Sequence, residues 1–356
     1  MNFSTRLKRS AYLNNIPISG SFEITHRCCF DCVHCFLGPP KACQDILDRE
    51  LKTEEVFKII DDIVAAGCLK LLITGGEPLL RPDFKEIYVY AKKKGLILTL
   101  FTNGMLIDED IADFLKEWPP DTIEISLYGA CEETYKKVTG VDGAYEKVIN
   151  ALKLLKERDL HVNLKTIIMT INSDEYFQMM DISKGLGYKF RPDAGIFPKL
   201  DGDDSPLQYR VPAKEAAEKE MADEDRAQMW ASQMKNNEGR NFHADGFLYS
   251  CGAGVIEFHI DPYGKIMPCM LVRHIKYDLK HNEFSDCMDK MRKNIKNKKI
   301  SLDFKCATCN NQSTCGYCPG RFLLENGNEQ SYSSYYCELG KYRKQIITGG
   351  LAYEKL

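Results

Sequence analysis

From about residue 18 to residue 200, short apolar runs alternate with stretches whose apolar residues recur every three or four positions. Runs of this length, rich in Ile, Leu, Val, Thr and Phe, are typical of buried strands, and the intervening periodicity is typical of amphipathic helices. Strands are predicted at residues 21–25, 69–74, 96–101, 122–127, 161–169 and 188–191. Helices are predicted from residue 53 to the stop at Gly67, and at 83–94, 108–117, 145–158 and 173–185.

Regular alternation of strand and helix predicts an α/β fold with a parallel sheet and right-handed crossovers. The pattern contains six strands, fewer than the eight of a complete barrel. A partial (β/α)6 barrel is therefore the preferred prediction, with a doubly wound open sheet as the alternative.

The chain changes character after the last predicted strand. Residues 201–206 read as a turn, and residues 213–235 as a charged helix. Beyond Cys251 the chain is rich in Cys, Gly, Asn and Lys, and it has too few apolar residues for a core of its own, so we expect it to fold around metal. The predicted division is an N-terminal segment (1–17), a barrel (18–205), a bridging region (206–250), a cysteine-rich domain (251–345) and a tail (346–356).

Composition excludes several classes of function. A net charge of -3 gives no general attraction to nucleic acid or to an anionic membrane. No apolar run approaches the roughly 18 residues of a spanning helix, and no signal peptide is recognised, so we expect a cytoplasmic protein. The chain has 15 cysteines, many only two to five residues apart. In a reducing compartment such clustering favours metal ligation over disulfides.

Cys28, Cys32 and Cys35 follow the first predicted strand directly. Three thiolates at this spacing can ligate three irons of a 4Fe–4S cluster and leave the fourth iron open to a small molecule. A zinc or structural site is the alternative. Cys29 is an additional thiol in the same loop, and we do not expect it to be a ligand.

Three further motifs stand at the ends of predicted strands. Gly75-Gly76-Glu77 follows the second strand, where the glycines allow a close backbone approach to a ligand and Glu77 can accept from an ammonium group. Thr102-Asn103 follows the third strand and Ser126 ends the fourth, offering partners for a ribose or a carboxylate. Each motif alone is weak, but in a parallel barrel the carboxyl ends of the strands meet on one face.

Together these residues resemble the radical S-adenosylmethionine (SAM) superfamily. The likeness rests on the CCFDCVHC loop at 28–35, on GGEP at 75–78 and on ISLYG at 125–129. It implies a SAM-binding cluster that supports cleavage of SAM to a 5′-deoxyadenosyl radical, which takes hydrogen from a substrate. By the same resemblance Gly75, Gly76 and Glu77 hold the SAM amino group and Ser126 holds the ribose. His34 stands where the family usually places an aromatic residue against adenine, and imidazole can also stack.

Two other site assignments are less specific. Thr102 and Asn103 are retained as SAM-binding candidates. Arg191, at the end of the last predicted barrel strand, could reach the SAM carboxylate or could be a surface arginine. No catalytic acid or base is identified.

Seven cysteines form a second pattern near the C-terminus: Cys251, Cys269, Cys306, Cys309, Cys315, Cys318 and Cys337. The group from 306 to 318 alone would also suit a zinc ribbon. The whole pattern resembles the SPASM domain, which implies two auxiliary 4Fe–4S clusters. By that resemblance Cys251, Cys269 and Cys318 hold the first cluster, and Cys306, Cys309, Cys315 and Cys337 hold the second.

The first auxiliary cluster then lacks one protein ligand. Our hypothesis is a site open to a substrate thiolate or another donor, with Glu257, His259 or a distant residue as alternatives. The cofactors expected in total are three 4Fe–4S clusters and SAM.

The SPASM resemblance implies modification of a ribosomally made peptide or protein by crosslinking, oxidation or epimerisation. We expect recognition by the barrel or by a separate peptide-binding protein, a flavodoxin- or ferredoxin-type electron donor, and no nucleic-acid or membrane partner. Two alternatives remain: radical chemistry on a small molecule such as a sugar or tetrapyrrole, and a non-catalytic iron–sulfur or zinc protein.

Overall fold

A computed structural model describes residues 3–38, 49–240 and 242–349. Its sheet contains the six predicted strands, and each pairs in parallel with the next along the chain. The strands are β1 Ser19–Thr25, β2 Lys70–Gly75, β3 Ile97–Thr102, β4 Thr122–Ser126, β5 Val162–Ile167 and β6 Lys189–Asp193. The strand order 1 to 6 is that of a barrel segment, because a doubly wound sheet reverses direction at a switch point. The partial barrel is confirmed.

Seven helices accompany these strands in the described part of the chain. They are α1 Phe3–Asn14, α2 Thr53–Ala65, α3 Phe84–Lys93, α4 Glu109–Glu117, α5 Glu132–Thr139, α6 Ala144–Glu157 and α7 Tyr176–Leu186. The sequence prediction missed α1 and α5. Helix α5 is only 8 residues long and contains Thr134, Val138 and Thr139, β-branched residues that weaken the helical signal.

The bridging region holds two helices where one was predicted. These are α8 Ala213–Ala222 and α9 Glu224–Asn236. Asp223 separates them with extended backbone angles (φ −83°, ψ 118°), and its carboxylate accepts from Arg226 N to cap α9. A capping aspartate inside a continuous periodic stretch therefore ends one helix and starts the next.

The C-terminal region extends the barrel sheet. Strand β7 Glu257–Ile260 pairs in parallel with β1, and β8 Lys265–Met267 and β9 Tyr277–Asp278 follow in antiparallel order. The remaining helices are α10 Phe284–Asn297, α11 Gln312–Cys315, α12 Pro319–Asn326 and α13 Ser334–Ile347. One sheet therefore crosses the predicted boundary at residue 251.

This region was expected to have too few apolar residues for a core of its own, and its apolar side chains pack into the core of the barrel. Helix α10 buries Phe284, Met288, Met291 and Ile295, and these side chains belong to the same apolar cluster as the barrel strands. The apolar side chains of the region therefore extend the core of the barrel, and the composition of the region alone does not show this. Of the predicted tail 346–356, residues 350–356 lie outside the described residues.

The two faces of the barrel sheet differ in chemistry. Side chains under the helices, such as Leu98, Ile123 and Leu164, are completely buried. Because side chains alternate along a strand, the other face carries the intervening residues, including Glu124 and Lys165. Within the described ranges no helix combines the length and apolarity needed to cross a membrane.

Candidate active site

The carboxyl ends of β1 to β4 bring the predicted N-terminal motifs together. The cysteine loop leaves β1 at Thr25, which is in register with Gly75 at the end of β2. Gly76 N donates to Thr25 O (2.8 Å), and Glu77 N donates to Arg27 O (2.7 Å). The GGE motif is thus bonded to the backbone that leads into the cysteines.

The two glycines are required by this backbone contact. A Cβ at residue 75 would lie 2.1 Å from Thr25 O, and one at residue 76 would lie 2.3 Å from Arg27 O. Gly75 also has a φ of +153°, which side-chain-bearing residues rarely adopt. Sequence reasoning assigned the close approach to a ligand, whereas the contact found here is with the protein's own backbone.

Glu77 is completely buried and organises the end of β3. Its carboxylate accepts from Thr102 Oγ1 (2.8 Å), Asn103 N (2.7 Å) and Leu79 N (3.1 Å). A carboxylate has about four acceptor positions. One position therefore remains for an ammonium group, while three already hold the neighbouring motif in place.

Burial raises the pKa of Glu77 from 4.5 to about 7, against the hydrogen bonds that favour its charged form. Between these values the folded protein binds more protons than the unfolded chain, so this group's contribution to stability falls as pH rises from 4.5 to 7. Replacing Glu77 with Gln removes the titration. We expect the wild-type unfolding free energy to fall by about 3 kcal/mol more than that of the variant across this window.

Urea unfolding of both proteins at a series of pH values measures this difference. Parallel stability curves for wild type and Glu77→Gln would contradict the assignment.

Asn103 links the third strand to the cysteine loop. Its Nδ2 lies 3.2 Å from Cys29 Sγ and 3.8 Å from Cys28 Sγ. The loop is also fastened to the end of α5, because Asp31 N donates to Thr139 O (2.8 Å) and Val33 N donates to Val138 O (3.0 Å). The helix that sequence reasoning missed is thus one of the elements that position the cysteines.

Burial raises the pKa of the Cys32 and Cys35 thiols. The pKa of Cys28 is raised chiefly by its hydrogen bond with Cys29, and that bond lowers the pKa of Cys29 to about 7. Half-buried thiols of raised pKa ionise mainly when a metal replaces their protons. The donor set therefore fits an iron–sulfur cluster, and Cys29 lies closer to the site than its sequence spacing indicated.

His34 belongs to this loop, and its buried Nδ1 has no hydrogen-bond partner among the described residues. Its ring stands edge-on to Tyr128, with centroids 5.0 Å apart. Burial lowers its pKa to about 4, so the imidazole is neutral at pH 7. A neutral ring with an unused nitrogen is suited to a heteroaromatic ligand.

Arg191 and Lys165 form a cationic pair on the open face of the sheet, beside Ser126 in register. Arg191 Nη1 lies 3.0 Å from Glu124 Oε1, and Lys165 Nζ lies 3.3 Å from Glu124 Oε2. Burial lowers the pKa of Lys165 to about 8. Arg191 keeps 47% of its side chain exposed while it pairs with the Glu124 carboxylate.

The seven C-terminal cysteines fall into two spatial groups. Burial raises the pKa of Cys269 to about 12, and the nearby thiols of Cys318 and Cys251 raise it further. The second group appears at Cys306, whose pKa is raised to about 12 by burial and by the neighbouring thiols. Those neighbours are Cys337, Cys315 and Cys309. The SPASM resemblance implies the same grouping, and the ligation of clusters by these cysteines stays a prediction.

The two residues named as alternative ligands of the first auxiliary cluster lie in different surroundings. Glu257 lies near Cys251, whose pKa its charge helps to raise. His259 is fully buried elsewhere, with Nδ1 2.7 Å from Ser21 Oγ and Nε2 3.3 Å from Glu23 Oε2. Across residues 3–38, 49–240 and 242–349, no three His, Cys, Asp or Glu side chains are arranged to hold a single metal ion.

A charged network between the two cysteine regions was not predicted. Buried Glu23 accepts from Arg273 Nη2 (2.7 Å) and lies 2.7 Å from His26 Nε2. Arg273 also lies over Phe36, at 6.0 Å from the ring centroid. Glu23 and Arg273 are 250 residues apart, so no local pattern could have linked them.

Comparison with known proteins matches residues 22–181 to the family model described as Radical SAM superfamily. The AdoMet-dependent heme synthase of Methanosarcina barkeri (strain Fusaro / DSM 804) is 25% identical over 347 residues, covering 91% of this chain and 98% of the relative. The antilisterial bacteriocin subtilosin biosynthesis protein AlbA of Bacillus subtilis (strain 168) is 27% identical over 268 residues, covering 72% of this chain and 55% of the relative.

Among solved structures, Streptococcus suis SuiB bound to precursor peptide SuiA superposes with a TM-score of 0.69. The sequences are 16% identical, and the match covers 93% of this chain and 80% of SuiB. The shared fold therefore includes the C-terminal region as well as the barrel.

Proposed function

Because residues 22–181 belong to the radical SAM superfamily, we propose that this enzyme modifies a ribosomally made peptide by hydrogen abstraction. Its barrel is the proposed site of SAM cleavage. The C-terminal cysteines are the proposed ligands of two auxiliary 4Fe–4S clusters.

One observation carries the radical SAM assignment of the site: the hydrogen-bonded convergence of the cysteine loop, the GGE motif and Asn103 on one edge of the sheet. Bound at this edge, a cluster reduced by one electron from the proposed donor would supply reductive cleavage of a carbon–sulfur bond of SAM, giving methionine and a carbon radical. Cys28, Cys32 and Cys35 would hold the cluster. The remaining acceptor position of Glu77 would orient the amino group, and His34 would pack against the adenine.

The open face of the sheet supplies the rest of the site. Ser126 is proposed for the ribose, and Arg191 for a carboxylate, either of SAM or of the substrate. Because Glu124 already neutralises part of the positive charge of Arg191 and Lys165, an anionic group would bind here by sharing these cations.

Support for a peptide substrate comes from two relatives. AlbA is named for biosynthesis of a bacteriocin, and SuiB was solved with its precursor peptide. A separate peptide-recognition protein and a flavodoxin- or ferredoxin-type donor are proposed as partners.

The test is anaerobic incubation of the reconstituted enzyme with SAM, a reductant and short peptides encoded beside its gene. We expect 5′-deoxyadenosine and a peptide that loses two hydrogens, or one that takes up deuterium from the solvent without another change in mass. SAM cleavage with no change in any such peptide would reject the peptide assignment and leave the radical chemistry standing. Absence of SAM cleavage would favour a non-catalytic metal protein.

A small-molecule substrate is the second candidate, and a specific observation favours it. The heme synthase match spans 98% of that relative, whereas the AlbA match spans 55% of its own. Lys165 and Arg191 would suit the carboxylates of a tetrapyrrole. Difference absorption spectra with an iron porphyrin bearing propionates would test this candidate, and a Lys165→Met variant should weaken any such binding.

A further inference from the structure

The first auxiliary ligand set is one donor short. It has three thiols, Cys251, Cys269 and Cys318, whereas the second set has four. A four-iron cluster offers four corners to ligands. What completes the first set depends on which side chains lie beside these thiols, and this inference rests on the auxiliary clusters of the proposed function.

The chain folds back on itself directly after Cys251. Glu257 N donates to Gly252 O (3.0 Å), and Gly254 N donates to Glu257 O (2.8 Å). Glu257 is also the first residue of β7, which is held in the sheet by its pairing with β1. The turn therefore fixes the position of Glu257 relative to Cys251 through backbone bonds on both sides.

Gly252 leaves room for the Glu257 side chain. A Cβ at residue 252 would lie 3.1 Å from the carboxyl carbon of Glu257 and 2.8 Å from Ile256 Cγ1. The carboxyl group thus packs over the backbone that follows Cys251. A side chain at residue 252 would collide with the Glu257 side chain and displace it.

The charge around this carboxylate is unbalanced. The Glu257 carboxyl carbon lies over Gly252, the residue next to Cys251, so its charge is held close to that thiol. In the described part of the chain, the Glu257 carboxylate has neither a salt-bridge partner nor a side-chain hydrogen bond. A carboxylate beside Gly252, the residue that follows Cys251, with no cation of its own, is a donor that positive iron would stabilise.

We propose that the Glu257 carboxylate is the fourth protein ligand of the first auxiliary cluster, with Cys251, Cys269 and Cys318. Glu257 closes the cluster in the substrate-free protein. This replaces the hypothesis of an open corner, and His259 is excluded because both of its ring nitrogens already have partners.

The test uses protein in which Cys28, Cys32 and Cys35 are all replaced by Ala, so that only the auxiliary clusters contribute to the spectra. Into this background go Glu257→Gln, Glu257→Cys and the control Glu283→Gln. Glu283 is an exposed residue before α10 whose side chain forms no cap hydrogen bond. Iron and sulfide content are measured, with electron paramagnetic resonance before and after addition of cyanide.

We expect about eight irons in the background protein, in the control and in Glu257→Cys, with spectra that cyanide leaves unchanged. Glu257→Gln should lose about one iron and give a three-iron signal, or keep it and bind cyanide. Circular dichroism establishes that each variant is folded. If Glu257→Gln is unstable, Glu257→Cys still tests the position, because a thiolate there should ligate the cluster in place of the carboxylate.

Two results would overturn the proposal, and they are distinguishable. If the background protein holds its auxiliary iron but Glu257→Gln matches it in iron content and cyanide response, Glu257 is not a ligand. If the background protein holds no auxiliary iron, the proposed clusters themselves are wrong.

Discussion

Replacing Cys32 with Ala should eliminate 5′-deoxyadenosine formation, lowering it by at least roughly a thousandfold, because groups that act as a unit lose nearly all activity when one is removed. The Cys32 thiol lies at the centre of the predicted ligand set, in a loop held by Thr139 O and Val138 O. Loss of this ligand should remove about four irons while the auxiliary clusters remain. Iron analysis and chromatography of the SAM products measure both effects.

Cys131→Ala is the matched control. Cys131 is exposed, precedes α5, and contacts Glu175 Oε1 at 3.1 Å, away from the cysteine loop. This variant should retain full iron content and full SAM cleavage. If Cys32→Ala kept both as well, residues 28–35 would not be the site of the SAM-binding cluster.

The second large effect is expected at Arg343, which joins the bridging region to the cysteine-rich region. Its guanidinium donates to both Glu220 oxygens, at 2.6 and 2.9 Å, and to Thr314 O at 2.9 Å. The Glu220 side chain is 0% exposed. Arg343→Met leaves this carboxylate buried without its main partner, so we expect a loss of about 3–5 kcal/mol in the free energy of unfolding.

The double variant Arg343→Met with Glu220→Leu should recover much of that loss, because the buried carboxylate is removed. Arg226, the other partner of that carboxylate, keeps Asp193 at 3.8 Å. Arg158→Met is the control: its partner Asp113 is 69% exposed, and breaking such a surface pair costs at most about 1 kcal/mol. Chemical denaturation measures the free energy of unfolding of Arg343→Met, of the double variant and of Arg158→Met. Equal losses for Arg343→Met and Arg158→Met would show that the buried pair contributes no more than a surface pair.

The sequence was sufficient where a short pattern specifies the structure. Alternating apolar runs located all six barrel strands, because side chains of a strand or helix repeat with a fixed period. Closely spaced cysteines likewise marked the candidate metal sites. The SAM-binding roles of His34, Ser126 and Arg191 remain predictions. Ser126 ends β4, whereas Arg191 lies in the middle of β6 and not at the strand end that the sequence predicted, and His34 lies in the loop after β1.

Only the tertiary structure decided how distant segments meet. It placed β7 beside β1, paired Glu23 with Arg273, buried Glu77 under the cysteine loop and brought Glu257 next to Cys251. The sequence by itself determined the repeating strand–helix units and the sets of thiols. The pairing of residues up to 250 positions apart depends on sheet register and shared burial, which no local periodicity encodes.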